Sequence, residues 1–271
     1  MPPTRMHGRV LIIAGSDSGG GAGIQADIKT VTALGAYAAT AITAVTVQNT
    51  QSVTGIHPIP LDTIRAQIET VLDDIGADAI KTGMLATASV IETVMAALQK
   101  NTIPLIVDPV MVAKGGAQLL ETDAVATFKR HVLPRADLIT PNLPEAEVLT
   151  SLKIDTADAM REAVQYLHTL GAKAVLLKGG HLPGDEIVDI YSGPDGTHEW
   201  HDKRIATRHT HGTGCTLASA IATGFAQGRN AVDSISRARL YVRRALETAP
   251  GYGRGHGPLN HAHTVRPLTE D

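Results

Sequence analysis

Short β-branched runs alternate with longer helical stretches along nearly the whole chain, and this alternation constrains the fold most. Strands are expected at residues 10–14, 38–47, 53–60, 79–82, 105–108, 138–140 and 174–178. Helical spacing marks 24–34, 61–74, 89–99, 123–132, 145–149, 157–170, 216–226 and 232–248. Residues 186–191 and 197–200, joined through Gly193-Pro194-Asp195-Gly196, read as a hairpin. Strand–helix alternation implies an α/β fold with a mostly parallel sheet and helices on both faces. No internal repeat or linker divides the chain, so one domain over 1–271 is expected. In open sheets of this kind ligands sit beyond the carboxyl ends of the strands. Gly15, Gln48, Thr82, Asp108, Thr140 and Lys178 all fall at or just past such ends.

Charge narrows the function classes. A net charge of −3 gives no basic excess for nucleic acid or an anionic membrane. Aromatics are 3%, too few for base-stacking platforms. A single cysteine forbids an internal disulfide and suits a reducing cytoplasm. The apolar run at 10–14 is too short for a secretory signal, and the mild stretch 33–47 is too short to cross a bilayer.

Two glycine-rich segments carry the chemistry. In RHTHGTGCTLASAIATG (208–224), Gly212-Thr213-Gly214 precedes the only cysteine, Cys215, and a helix. Glycines permit close backbone approach to a ligand. The first helical turn offers unpaired N–H groups and partial positive charge, which together make an anion site. A thiol there is expected to have a lowered pKa and to act as a base; the alternative is a small buried hydrophobe. His209-x-His211-x-x-x-Cys215 invites a zinc reading, but the chain offers one cysteine and no paired histidines elsewhere.

The other segment, Gly15 to Gly23, follows the first strand. Gly15 and Gly20 have P-loop spacing, but Gly21-Ala22 stands where Lys-Ser/Thr is needed. Gly21-Ala22-Gly23-Ile24-Gln25-Ala26 matches a dinucleotide pattern, yet no acid occurs between Ile28 and Leu61 to hold a ribose. The loop therefore reads as a close wall around a small ligand with Asp17 as a polar contact, or as a tight turn only. Gln48 offers a donor and an acceptor that suit an aminopyrimidine edge, or it merely caps a turn. Asp108 and Glu145, with Asn142, are acids and amide at strand ends of the kind a Mg²⁺–phosphate site uses, or helix caps and surface charges. Lys178-Gly179-Gly180 can bring an ammonium and backbone to nucleotide phosphates.

Eight motifs then run in order across nearly the whole chain: AGSDSGGGAGIQADIKT, TAVTVQNTQSV, KTGMLA, DPVMVAKGG, TPNLPEAE, LLKGGH, HTHGTGCTLASAIA and HGPLNH. The chain resembles the bacterial hydroxymethylpyrimidine/phosphomethylpyrimidine kinases of thiamine biosynthesis, in the ribokinase-like superfamily. The resemblance implies a three-layer α/β/α ribokinase-like fold with a central mostly parallel sheet, and a homodimer. It implies ATP and Mg²⁺ as cofactors. The hydroxymethyl group of 4-amino-5-hydroxymethyl-2-methylpyrimidine would be phosphorylated first, and its monophosphate then converted to the diphosphate. Position by position, Gln48 would bind the pyrimidine edge, and Gly15, Ala22, Met84 and Val110 would line the pocket with Asp17 close by. Gly212, Thr213 and Gly214 would form the anion hole and Cys215 would stand at the catalytic base. Asp108, Asn142 and Glu145 would organise Mg²⁺ and phosphate, with Lys178 in the nucleotide half.

Two rivals follow from the same residues. Related pyridoxal kinases include members with a second cysteine after the DPVMV strand, where this chain has Ala113. A non-catalytic pyrimidine-binding protein would keep Gly15 and Gln48 but lose the phosphate chemistry that Gly-Thr-Gly-Cys, Asp108 and Glu145 suggest. Lys114-Gly115-Gly116 is the expected lid, and the tail histidines His256, His261 and His263 are expected in polar packing or solvent.

Overall fold

The computed structural model describes residues 7–111, 119–121 and 123–266. Ala113 and the expected lid at 114–116 lie outside the described residues. Nine strands form one sheet: β1 (Arg9–Asp17), β2 (Tyr37–Gln48), β3 (Val53–Pro58), β4 (Ala79–Thr82), β5 (Leu105–Val107), β6 (Leu138–Ile139), β7 (Val175–Lys178), β8 (Glu186–Gly193) and β9 (Gly196–Lys203). Their spatial order is β3-β2-β1-β4-β5-β6-β7-β8-β9. The six strands from β2 to β7 in this order run parallel, and β3, β8 and β9 add antiparallel edges.

β1 explains how the layers form. Its side chains alternate between faces. Leu11 and Ile13 enter a core with α2 (Leu61–Asp74), α3 (Ala88–Ala97), α4 (Ala124–Thr127), α5 (Leu143–Thr150) and α6 (Ala157–Thr169). Val10, Ile12 and Ala14 enter a second core with α1 (Gly23–Ala33), α7 (Thr213–Ala226) and α8 (Ala231–Glu247). The result is the expected α/β/α arrangement. A fully buried Ile or Leu in either core contributes about 1.5–3 kcal/mol.

Several boundaries differ from those expected, each for a local reason. β1 runs on through Gly15-Ser16-Asp17, because after an irregularity at Gly15 the strand resumes pairing, Ser16 with Val45 and Asp17 with Thr46. α7 begins at Thr213, since Gly212 at φ +82° supplies the turn into it. The segment expected as one helix over 123–132 is α4 followed by a π-helical turn, Phe128–Val132, closed by Leu133 N–H donating to the Phe128 carbonyl. The β8–β9 hairpin is longer than its apolar residues suggest, because β9 is mostly exposed and polar.

The carboxyl ends of the parallel strands share one edge of the sheet. They carry Asp17, Gln48, Lys178 and, just beyond β5 and β6, Asp108 and Asn142. The tail packs back on this edge: His211 bridges to Pro258, and the Thr216 hydroxyl is 2.9 Å from His261 Nε2. His261 is buried polar packing, and burial pushes its imidazole down to about 4.

Candidate active site

The two glycine segments interlock. A Cβ on Gly212 would lie 1.8 Å from the Gly21 carbonyl oxygen, and one on Gly21 would lie 2.4 Å from the His211 ring. Only glycine fits either position. Their close approach is to each other's chain as much as to a ligand, a correction to the reading of these glycines as a ligand-facing wall. The contact sets the N-terminus of α7 against the end of β1. Thr216 is the first residue of α7 to donate to a helical carbonyl, that of Gly212 (2.9 Å). The Gly214 and Cys215 amides precede it and have no helical acceptor. Gly212, Thr213, Gly214 and Cys215 all line one cavity of about 750 Å³.

Gly15, Asp17, Ala22, Gln48, Met84 and Val110 line the same cavity. The Met84 methyl packs against Gly15, so a Cβ there, 2.6 Å away, would displace the end of that flexible side chain. Asp17 is buried and already engaged. It accepts from the amides of Gly19 (2.8 Å), Gly21 (3.1 Å) and Ala22 (2.8 Å), and from His211 Nε2 (2.9 Å). Burial alone would raise its carboxyl, but His211 and the loop amides outweigh this and hold it below the usual range. Asp17 therefore anchors the glycine loop and His211.

The acids and lysine gather beside Gly214 at the N-terminus of α7. Asp108 Oδ1 is 3.2 Å from Lys178 Nζ, and a Cβ on Gly214 would be 3.3 Å from Asp108 Oδ2. Asn142 and Glu145 form a reciprocal cap on α5. The Glu145 amide donates to Asn142 Oδ1 (2.9 Å) and the Asn142 amide to Glu145 Oε2 (2.8 Å). The capping reading therefore holds for this pair, which also lines the cavity. Burial pushes Glu145 up to about 7, with Lys178 opposing and Asp108 adding to the rise. Burial pulls the Lys178 ammonium down, but Asp108 and Glu145 more than compensate. No three His, Cys, Asp or Glu side chains among the described residues converge into a complete metal cage. Asp108 and Glu145 fit a cation that takes its remaining ligands from phosphate and water, as Mg²⁺ commonly does.

Cys215 overturns one expectation. Its thiol is pushed up to about 12, not lowered. Burial is the largest cause; Lys81 pulls against it, while Asp27 and Asp108 add to it. Part of the residue opens on the cavity, but the helix N-terminus does not outweigh the surrounding protein.

Lys81 is a residue that motif reasoning missed. It lies in β4, whose four residues are all buried, and is itself 0% exposed while reaching the cavity. Its Nζ pairs with Asp27 Oδ2 at 2.8 Å, and Ser219 of α7 donates to Asp27 Oδ1 at 2.6 Å. A lysine inside so short an apolar strand was the available signal. His211, weighed only as a zinc ligand, is instead bound to Asp17. At the far end, Arg204 donates to the carbonyls of Gly180, Leu182 and Gly184 and so pins the loop after Lys178. Arg239 pairs with Asp189 and Asp202 and lies 5.5 Å above the Trp200 ring.

A mostly parallel sheet with two glycine segments interlocked at a helix N-terminus, and acids and a lysine at neighbouring strand ends, is the arrangement of a ribokinase-like small-molecule kinase. The sequence profile of the phosphomethylpyrimidine kinase family matches residues 17–260, and the chain belongs to that family. It is 48% identical to the hydroxymethylpyrimidine/phosphomethylpyrimidine kinase of Bacillus subtilis, over 93% of this chain and 94% of that protein. It is 51% identical to the thiamine biosynthesis bifunctional protein of Geobacter sulfurreducens over 94% of this chain, but spans only 52% of that longer protein. Among solved structures it resembles the ADP complex of Bacillus subtilis pyridoxal kinase, with TM-score 0.87, 36% identity and coverage of 94% of this chain and 98% of that one. It also resembles phosphomethylpyrimidine kinase from Clostridium difficile, with TM-score 0.78, 40% identity and coverage of 88% and 98%.

Proposed function

We infer that this chain phosphorylates 4-amino-5-hydroxymethyl-2-methylpyrimidine and then its monophosphate, using ATP, to give the diphosphate used in thiamine biosynthesis. The observation that carries the reading is the convergence of Gln48, the Gly212–Cys215 turn, Asp108 and Lys178 on one cavity. Curated relatives at 44–48% identity and near full length bear the same two-step name. We read residues 1–271 as one kinase domain. Among the described residues no helix is long and apolar enough to cross a membrane. A cytoplasmic location accords with the use of ATP. A homodimer accords with the exposed Val45, Val47 and Ile56 on the β2–β3 edge.

Catalysis here is mainly positioning and charge stabilisation. Gln48 orients the ring, and Gly15 and Met84 set its depth. The Gly214 and Cys215 amides meet charge that grows on the transferred phosphoryl group. Lys178 neutralises phosphate oxygens. Asp108 and Glu145 would hold Mg²⁺, which supplies charge neutralisation and phosphate orientation when bound. For the first acceptor the hydroxyl proton must leave as the new P–O bond forms, and Cys215, which lines the cavity next to the Gly212–Gly214 turn, would accept it once ionised. The second acceptor is already an anion and needs no such help.

The test is ADP release from Mg-ATP with three acceptors: hydroxymethylpyrimidine, its monophosphate and pyridoxal, with products identified by mass. Conversion of both pyrimidines to the diphosphate is expected. Turnover of pyridoxal alone would retain the kinase class, in line with the pyridoxal kinase structures that share the fold, and overturn the reading of Gln48. Pyrimidine binding without ADP release would favour the non-catalytic rival.

A further inference from the structure

Gln48 is held at both ends of its amide. One end lies 3.3 Å from His211 Nε2 and the other 3.1 Å from Thr46 Oγ1. The oxygen and nitrogen of a glutamine amide have the same shape, so hydrogen bonding decides which end is which. His211 Nε2 is also 2.9 Å from Asp17 Oδ2. Asp17 is buried, is surrounded by three amide donors and is held in its ionised form, so it only accepts. His211 Nε2 must therefore carry the proton. A protonated Nε2 cannot accept from an amide –NH₂, so the Gln48 end facing it is the oxygen. At the other end, Thr46 Oγ1 is 3.0 Å from the Ser16 carbonyl, which cannot donate. The single Thr46 hydroxyl proton goes to Ser16, and its lone pair then receives the Gln48 –NH₂. In this arrangement no two donors and no two acceptors are opposed along Asp17–His211–Gln48–Thr46–Ser16, with the single His211 Nε2 proton directed mainly at Asp17 and shared with the more distant Gln48 oxygen.

We propose that Asp17, acting through His211, sets the donor–acceptor order of the Gln48 amide and makes the site selective for a 4-aminopyrimidine edge over a 4-oxopyrimidine edge. The inference rests on the proposed reading of Gln48 as the ring contact. With both ends of the amide anchored, one N–H and one carbonyl lone pair remain for a ligand, in fixed order. A 4-aminopyrimidine presents an amino donor beside a ring-nitrogen acceptor. Its 4-oxo analogue presents the same pair reversed, so one ring matches the fixed amide and the other leaves two buried polar groups opposed. His211 and Asp17 are thus positioning residues for specificity. The Gly21 position, bare because the His211 ring fills its side-chain space, shows that the ring is tightly placed.

The experiment compares kcat/KM for the 4-amino acceptor and its 4-oxo analogue, both carrying the 5-hydroxymethyl group. Both acceptors use the same anion hole, so their ratio cancels general damage to catalysis. The unmodified enzyme should prefer the amino ring by roughly 100-fold or more. His211→Phe, which removes the N–H but keeps a ring, should shrink that preference below about tenfold, mainly through KM. His211→Gln, which can restore an N–H donor, should recover much of it. An unchanged preference in His211→Phe overturns the proposal. Gln48→Leu separates the two levels: if it leaves the preference intact, the reading of Gln48 itself fails. If Gln48→Leu abolishes the preference but His211→Phe does not, only the Asp17–His211 device fails. Should His211→Phe not fold, Thr46→Val removes the partner of the other amide end, and an unchanged preference there overturns the proposal equally.

Discussion

Lys81→Met should reveal whether the buried Lys81–Asp27 pair beside α7 is a structural and electrostatic unit. Lys81 and Asp27 are each 0% exposed, and their charged atoms are 2.8 Å apart. Removing one partner leaves a buried, uncompensated charge, which costs about 3–5 kcal/mol. Asp27 is already raised by burial with Lys81 present, so without Lys81 it rises further, and the loss is greatest at high pH, where the stranded carboxylate stays charged. The double variant Lys81→Met/Asp27→Asn removes both charges and keeps an oxygen to accept from Ser219. It should regain all but about 1–2 kcal/mol of the lost stability, giving a strong coupling in the double-mutant cycle. Urea unfolding of the four proteins measures it. A single-variant loss below about 1 kcal/mol, or strict additivity, would refute the reasoning. The same series reads the electrostatics of Cys215, the chain's only thiol. Lys81 is the cation that pulls the thiol down against burial, so alkylation of native Lys81→Met by iodoacetamide should be slower at every pH below about 12.

Other outcomes can be checked with ordinary steady-state and stability assays. Cys215→Ala should reduce phosphorylation of the alcohol more than phosphorylation of the monophosphate; equal losses would contradict the assignment of a base to the first step only. Because the thiol is pushed up to about 12, its ionised fraction grows about tenfold per pH unit below that value, so the first step should speed up with pH more steeply than the second. Gly212→Ala would press a methyl into the Gly21 carbonyl at a positive φ, and should cost roughly 3 kcal/mol or more, read as a lowered Tm with activity lost. Glu145 has a raised folded-state value near 7, so its stability contribution is full below about 4.5 and is lost as pH rises to 7. Glu145→Gln should therefore raise Tm at pH 8 without Mg²⁺ while lowering kcat with it.

Much of this architecture was legible because its signals are local. The alternation of short β-branched runs and helical stretches gave the strands and helices, and every residue singled out for the site lines the same cavity. What was not legible depends on contacts distant in sequence. Asp17 and His211 are 194 positions apart, as are no motif partners a spacing rule would pair. Lys81 looked like part of a strand, and only the fold puts Asp27 and Ser219 around it. The Cys215 thiol was misjudged because the helix N-terminus is visible in sequence, whereas burial against α1 and the neighbouring acids is not.

The interlock of Gly21 with Gly212 also has a consequence for synthesis on the ribosome. By the time residue 203 has been made, every strand of the sheet exists. The Gly212 turn does not, and neither does the α7–α8 cover over the face lined by Val10, Ile12, Ala14, Leu138 and Leu176. About 40–45 more residues must emerge before that face is covered, which takes roughly 2–9 s at ordinary elongation rates. During that interval the nascent chain leaves part of an apolar sheet face without its α7–α8 cover, and a chaperone that recognises bare apolar surface has its opportunity then. Catalytic competence arrives late, when the last quarter of the polypeptide closes on the first loop.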